Sequence, residues 1–353
     1  MVMFGSDCEP RANVVAQLGA FGLDNVIIGA RPLQSLASSA IRVRIRAASL
    51  NHRDLLIARG QFSPVASLPL VLLSDCAGEV AAIGRDVRRF GIGDRVVGAP
   101  LPAWTRGPFA DEMLASALGG RIDGVLAQYF TGDQDSFVGI PDVLSFEEAA
   151  TLPCAALTAW NALFEYGNLK PGKTVLVQGS GGVSIFALQF ALAAGARVIA
   201  TTSSDSKAEA LRQLGAAHVI NYRRHADWSR QVLELTGGAG VDHIIETGGA
   251  GTLDQSIKSA AVGGSISVIG MLSGAYGAFD ALPILKKTLN LQGIVTGSVE
   301  MLERMIGTLE SLQIKPVIDR TFEMQDTVSA LRYLESARHV GKVVIRVGEV
   351  SRG

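Results

Sequence analysis

Cysteine is scarce. The three in this 353-residue chain, Cys8, Cys76 and Cys154, are widely separated, and no Cys-x-x-Cys pair exists to hold a structural zinc or a redox disulfide. Charge of one sign is missing too. Lys and Arg number 32 against 33 Asp and Glu, a formal net charge of -1, and no basic block is long enough to grip nucleic acid or an anionic membrane. The longest apolar stretch, Val183 to Ala200, is interrupted by Gln189, Gly195 and Arg197, so it reads as a helix followed by a strand and not as a bilayer span. The opening residues, MVMFGSDCEPRANV, lack a basic segment followed by an apolar one, which makes the cytoplasm the expected compartment. What is present is 48% hydrophobic residues and 40 glycines against 12 prolines, the balance of an α/β globular protein long enough for two domains.

From about Val14 to Ala150, short β-type runs at Ala40–Ala47, Ala77–Ile83 and Arg95–Gly98 alternate with turn glycines, the pattern of a small, partly open barrel. Residues 104–139 read as a long irregular excursion, either covering a cleft or decorating the surface. Ser145 is placed to cap a helix with Glu147 and Glu148 in its first turn. From Thr174 the pattern becomes α/β. Strands are expected at Thr174–Gln178, Arg197–Thr202, His218–Asn221, His243–Thr247, Ser265–Ile269 and Gln292–Thr296. Helices fit at Ile185–Ala194, Lys207–Leu214, Trp228–Leu235 and Leu253–Ala260, which makes a doubly wound parallel sheet. Two further helix–strand units, Met301–Leu312 with Pro316–Phe322 and Thr327–Leu334 with Lys342–Val347, are expected to return to the first domain.

The run Gly179-Ser180-Gly181-Gly182-Val183-Ser184 follows a strand and opens an apolar helix, the context that the dinucleotide fingerprint requires. Gly179 makes the tight turn, Gly181 lets backbone approach a pyrophosphate, and the helix start supplies amide donors. Ser184 replaces the third glycine. At the end of the next strand, Thr202, Ser203, Ser204 and Lys207 offer hydroxyls and a cation, which suit the 2′-phosphate of NADP(H). Tyr222, Arg223 and Arg224 stand ready to close over it, while Asp205 favours NAD(H).

Ala48-Ser49-Leu50-Asn51-His52-Arg53-Asp54, Ser74-Asp75-Cys76-Ala77-Gly78-Glu79-Val80, Gly91-Ile92-Gly93-Asp94-Arg95-Val96, Ala149-Ala150-Thr151-Leu152-Pro153-Cys154 and Gly341-Lys342-Val343-Val344 follow one another in an order that resembles the medium-chain dehydrogenase/reductase superfamily, in its zinc-lacking, quinone-oxidoreductase-like branch. One departure is the turn before Ala40, usually rich in Pro and Gly, which here reads Gln34-Ser35-Leu36-Ala37-Ser38-Ser39. The resemblance implies a GroES-like barrel built from residues 1–150 and 300–353, with a Rossmann domain over residues 151–299. It also implies a homodimer paired through the strand near Gln292–Thr296. At the ligand positions of the metal-using branch stand Asn51, Ser74 and Cys154; an amide and a hydroxyl are poor donors for zinc, Cys154 alone cannot close a site, and a shift by one residue to His52 and Asp75 points to the other face. The structural-zinc lobe of that branch has no counterpart in residues 100–121, which hold no cysteine. Without metal, Asn51, Ser74 and Thr158 are the expected donors to the substrate oxygen and His52 the expected proton donor. Asn51 has a plainer reading as a local backbone cap, Thr158 as a hydroxyl bonded to the preceding turn, and His52 as a partly exposed structural histidine. By the same resemblance Gly270, Met271, Gly297 and Ser298 border the nicotinamide, and Lys342 reaches the cofactor. The implied activity is NADPH-dependent reduction of a quinone, enone or small carbonyl compound. Zinc-free alcohol oxidation and a cofactor-binding protein with little turnover are the alternatives.

Overall fold

The computed structural model describes residues 3–4, 12–62 and 67–348. The chain divides into two compact units, residues 1–154 with 297–353 and residues 155–296. The boundaries expected from sequence fell at 150/151 and 299/300.

The first unit is built on an eight-stranded sheet whose main path runs Ile318–Glu323, Lys342–Arg346, Ala40–Ser49, Asp75–Ile83, Arg95–Gly98, Phe137–Gly139, with Tyr129–Asp133 also paired to Ala40–Ser49. Ala40–Ser49 alternates Ile41, Val43 and Ile45, all buried, with Arg44 and Arg46, which are not. Opposite it, Gly78 lies so close that a Cβ would stand 2.1 Å from the Arg44 carbonyl oxygen. Register shifts at Arg42/Val43 and Ile45/Ala47 bend this pair, the usual means of coiling a sheet into a barrel. Leu55, Leu72, Val80, Val96, Phe137, Leu331, Val343 and Ile345 complete the core. The C-terminal strands therefore supply one wall of a barrel begun three hundred residues earlier.

Two sequence expectations need correction here. Residues 104–139 are not one irregular excursion: Asp111–Ser116 forms a 3-10 turn, but Val125, Leu126 and Phe137 are core residues and two strands follow. Those strands, YFTGD and FVG, are short and carry weak alternation, so pairing with Ala40–Ser49 and Arg95–Gly98 creates them. The unusual turn before Ala40 does not disturb the barrel, since Gly84 packs on the Ala37 and Ser38 carbonyls and its N–H donates to Ala40 O at 2.9 Å. Ser145 caps its helix as expected, in a reciprocal pair with Glu148.

The second unit holds a six-stranded parallel sheet in the order His218–Asn221, Arg197–Thr202, Thr174–Gln178, Val241–Glu246, Ala260–Val268, Asn290–Gly293. This is the doubly wound Rossmann order, and the direction of winding reverses between Thr174–Gln178 and Val241–Glu246. Strands such as Val175-Leu176-Val177 are buried on both faces, as a sheet covered by helices demands. Trp160, Phe164, Phe186 and Phe190 pack ring to ring, with centroids 4.5–6.2 Å apart, and fix the helix that follows the glycine loop. The outer strand falls at Asn290–Gly293 where Gln292–Thr296 was expected, and the fifth begins at Ala260, five residues early. Gly263 and Gly264 hid that extension. Among the described residues no helix is long and apolar enough to cross a membrane.

Candidate active site

In the Rossmann unit, Gly179 turns the chain with φ +79° and donates its N–H to Thr201 O at 2.8 Å. Gly181 is the N-cap of helix Gly182–Ala193 and has no side-chain cap, so the first-turn amides and the positive end of the helix dipole have no internal acceptor side chain. A Cβ on Gly179 or on Gly181 would meet nothing within 4 Å. The glycines thus leave open space above the helix start, and the residues fit a dinucleotide. Ser184, the departure from the fingerprint, is an asset: its hydroxyl donates to Gln178 O at 2.6 Å and ties the helix to the strand end.

At the neighbouring strand end, Ser180 and Thr202 are buried while Ser203, Ser204 and Lys207 are half-buried. Ser204 caps helix Asp205–Gln213 by accepting the Lys207 N–H, and its hydroxyl pairs with Ser206 at 2.9 Å. The Asp205 carboxylate is engaged by Asn221 Nδ2 at 2.9 Å and by the Arg224 guanidinium. Its charge is therefore balanced locally, and Tyr222 and Arg223 stand exposed beside it. Gly270 is confined to glycine, since a Cβ would lie 2.4 Å from Thr247 O, and Met271 is 60% exposed. Thr158 is buried on the short helix Leu157–Trp160, just ahead of a π-helical turn at Asn161–Glu165.

The barrel unit brings Asn51, Ser74 and Lys342 together, around a residue that the sequence reading set aside. Asp75, 0% exposed, accepts from Asn51 Nδ2 at 2.9 Å, Ser74 Oγ at 2.8 Å and the Cys154 N–H at 3.2 Å. Lys342, 3% exposed, donates to Leu50 O and Asn51 Oδ1, both at 2.7 Å, and its ammonium stands 3.9 Å from Asp75. The Asn51 amide is clamped at both ends, by a cation on its oxygen and an anion on its nitrogen.

Three of the expected residues are engaged within the protein. Ser74 is fully buried and its hydroxyl donates to Asp75. Lys342 is committed to Leu50 and Asn51 and so holds the asparagine. Ser298 is buried, and its hydroxyl accepts the Met301 N–H as the cap of helix Val299–Leu309, while Gly297 beside it is also buried. His52 is exposed at a helix start; partial desolvation, with the Arg59 charge second, holds its pKa below the ordinary imidazole value. Burial, with the Asp75 charge second, pushes the Cys154 thiol up to about 12. Among the described residues no three His, Cys, Asp or Glu side chains converge as a metal site. An amide and a hydroxyl at Asn51 and Ser74, with the single thiol of Cys154, are a poor donor set for zinc. Cys8 lies outside the described residues.

Asp54 was missed as well. Buried on the helix His52–Ala58, it accepts the Asn51 N–H at 2.7 Å, and burial raises its pKa to about 6, with Arg53 opposing. The Asn-x-x-Asp spacing of a capping box was the available signal. Because the folded pKa lies above the unfolded value of 3.8, the folded state holds a proton that the unfolded state has lost between those values, so this group's contribution to stability falls as pH rises from about 4 to about 6. In urea titrations the unfolding free energy of the wild type relative to Asp54→Asn is expected to drop by about 2 to 3 kcal/mol between pH 4 and pH 7. A constant difference across that window refutes the assignment.

A Rossmann sheet with an open phosphate cradle, together with a GroES-like barrel holding a buried polar cluster, defines the nicotinamide-dependent oxidoreductase class. Residues 37–142 match the family model of the alcohol dehydrogenase GroES-like domain, and residues 182–311 that of the zinc-binding dehydrogenases. The chain is 44% identical over 321 residues to a zinc-type alcohol dehydrogenase-like protein of Schizosaccharomyces pombe, an alignment that covers 89% of this chain and 92% of that protein. It is 30% identical over 315 residues to a quinone oxidoreductase of Pseudomonas aeruginosa, covering 86% and 90%. The crystal structure of an NAD-dependent alcohol dehydrogenase matches with a TM-score of 0.87 at 34% identity, over 95% of this chain and 100% of that one. The chain belongs to the medium-chain dehydrogenase/reductase superfamily and is an NAD(P)-dependent oxidoreductase.

Proposed function

We propose that this enzyme is a zinc-independent, NADPH-dependent reductase of a quinone, an enone or another small conjugated carbonyl compound. The observation that carries the reading is the occupancy of the three positions where the metal-using branch places its ligands. Here they hold a clamped amide, a spent hydroxyl and a protonated thiol. Bound NADPH supplies the hydride. Asn51 directs its second Nδ2 hydrogen at the substrate oxygen that gains charge, while Asp75 and Lys342 keep the amide from rotating. A conjugated acceptor spreads that charge, so one neutral donor in a fixed position suffices. His52, exposed and one residue on, relays the proton from solvent. The likeness to a quinone oxidoreductase supports this substrate class.

The greater identity to a zinc-type alcohol dehydrogenase-like protein favours a second reading, alcohol oxidation. Steady-state assays with quinones, enones and primary alcohols, on a sample whose metal content is measured, separate the two. Turnover of alcohols alone, or one zinc per chain, sinks the first.

The NADP(H) preference rests on the hydroxyls and cation at Thr202–Lys207 and on the neutralised Asp205. Lys207→Glu is expected to weaken NADPH about 10- to 100-fold, the loss of a charge-assisted phosphate contact, and to leave NADH within a few-fold. Equal changes for both cofactors in a fluorescence titration refute it.

A further inference from the structure

Where the Rossmann sheet reverses its winding, the last residues of the two central strands, Gln178 and Glu246, are polar and buried. They are bonded to each other, Gln178 Nε2 donating to Glu246 Oε2 at 2.7 Å. The same carboxylate oxygen accepts the Ser256 hydroxyl. Its other oxygen accepts the N–H groups of Gly248 and Gly249, each at 2.9 Å, and the Thr252 hydroxyl at 2.5 Å. The Gln178 side-chain oxygen in turn accepts the N–H groups of Thr247 at 3.2 Å and Gly248 at 3.1 Å. Each of these partners is neutral, so the charge is solvated by dipoles fixed in the loop.

A buried anion held this way is an expensive means of stabilising a sheet, because an apolar side chain would pack the same position at no electrostatic cost. What the carboxylate does provide is a fixed shape for residues 247–249. That loop is interlocked with the one after the fifth strand: a Cβ on Gly249 would lie 2.6 Å from Gly274 O and 2.8 Å from Met271 Cα. In a doubly wound sheet a dinucleotide lies across the reversal point, its two halves over opposite sides. The adenine side is built on Gly179–Gly181 and Thr202–Lys207. The opposite side is built on the loops that Glu246 pins.

We infer that Glu246 is a positioning residue for the nicotinamide half of the cofactor, an assignment that rests on the NADP(H) reading above. Binding of NADPH and of 2′,5′-ADP, which carries only the adenine half, is measured by fluorescence titration and calorimetry on the full chain. In Glu246→Gln an amide N–H replaces an acceptor facing donors; NADPH is expected to bind about 10- to 30-fold more weakly, with 2′,5′-ADP within twofold of wild type. Thr252→Val removes one donor without changing side-chain shape, and about threefold weaker NADPH with unchanged 2′,5′-ADP is expected. If Glu246→Gln does not fold, the threonine variant decides by the same comparison. Unchanged NADPH binding in a folded variant, or equal weakening of both ligands, overturns the inference. A wild type that binds neither ligand removes the cofactor reading itself, and this inference with it.

Discussion

Gly181→Val is expected to weaken NADPH about 100-fold or more, ~2.8 kcal/mol of binding, while the melting temperature of the unliganded protein stays where it was. The two halves of this expectation have separate causes. A Cβ at Gly181 meets nothing within 4 Å, and the backbone there, at φ -75° and ψ 176°, suits a β-branched residue. Folding therefore has no reason to suffer. The added methyl groups occupy the cradle above the helix start, where a pyrophosphate needs close approach to the first-turn amides. Cofactor fluorescence and a thermal melt on the same sample give both numbers. Wild-type affinity in the variant places the phosphates elsewhere.

The second large effect is one of stability. Lys342→Met keeps the length of the side chain, so no cavity opens, but it leaves the Asp75 carboxylate buried without its cation and strips a donor from Leu50 O and from Asn51 Oδ1. Breaking a buried pair from one side typically costs about 3 to 5 kcal/mol, because the surviving charge is stranded away from water. A loss of this order in urea denaturation is expected. Asp75→Asn combined with Lys342→Met is expected to be more stable than Lys342→Met alone, since the pair then carries no charge. A Lys342→Met protein within about 1 kcal/mol of wild type would show that the neutral donors around Asp75 satisfy it unaided. The measurement matters for function because the same ammonium fixes the amide that is proposed to meet substrate.

The Rossmann unit was the more legible half. Its strands are continuous apolar runs, its helices have ordinary length, and the glycine loop carries its conformation locally: Gly179 at φ +79° is needed whatever surrounds it. At Gly263–Gly264 in the fifth strand, two glycines break the apolar pattern, and they lie where the register with Val241–Glu246 jumps from Val241/Ala260 to His243/Ser265. The barrel was harder because its strands are short, and YFTGD has no alternation strong enough to announce itself. Asn51, Ser74 and Lys342 each stand out in the sequence, but the bonds that join them through Asp75 do not, because such bonds depend on partners distant in the chain. Asp75 was passed over because it was judged as a metal ligand and not as an acceptor.

The sequence by itself determined the succession of elements, the dinucleotide loop and the superfamily, because helix and strand periods, glycine turns and ordered motifs are properties of neighbouring residues. Only the tertiary structure decided that Lys342 meets Asn51 across 291 positions and that Gln178 meets Glu246 across 68. Such meetings depend on sheet register, where a slip of one residue turns a side chain to the opposite face, and no local pattern specifies the register between distant strands.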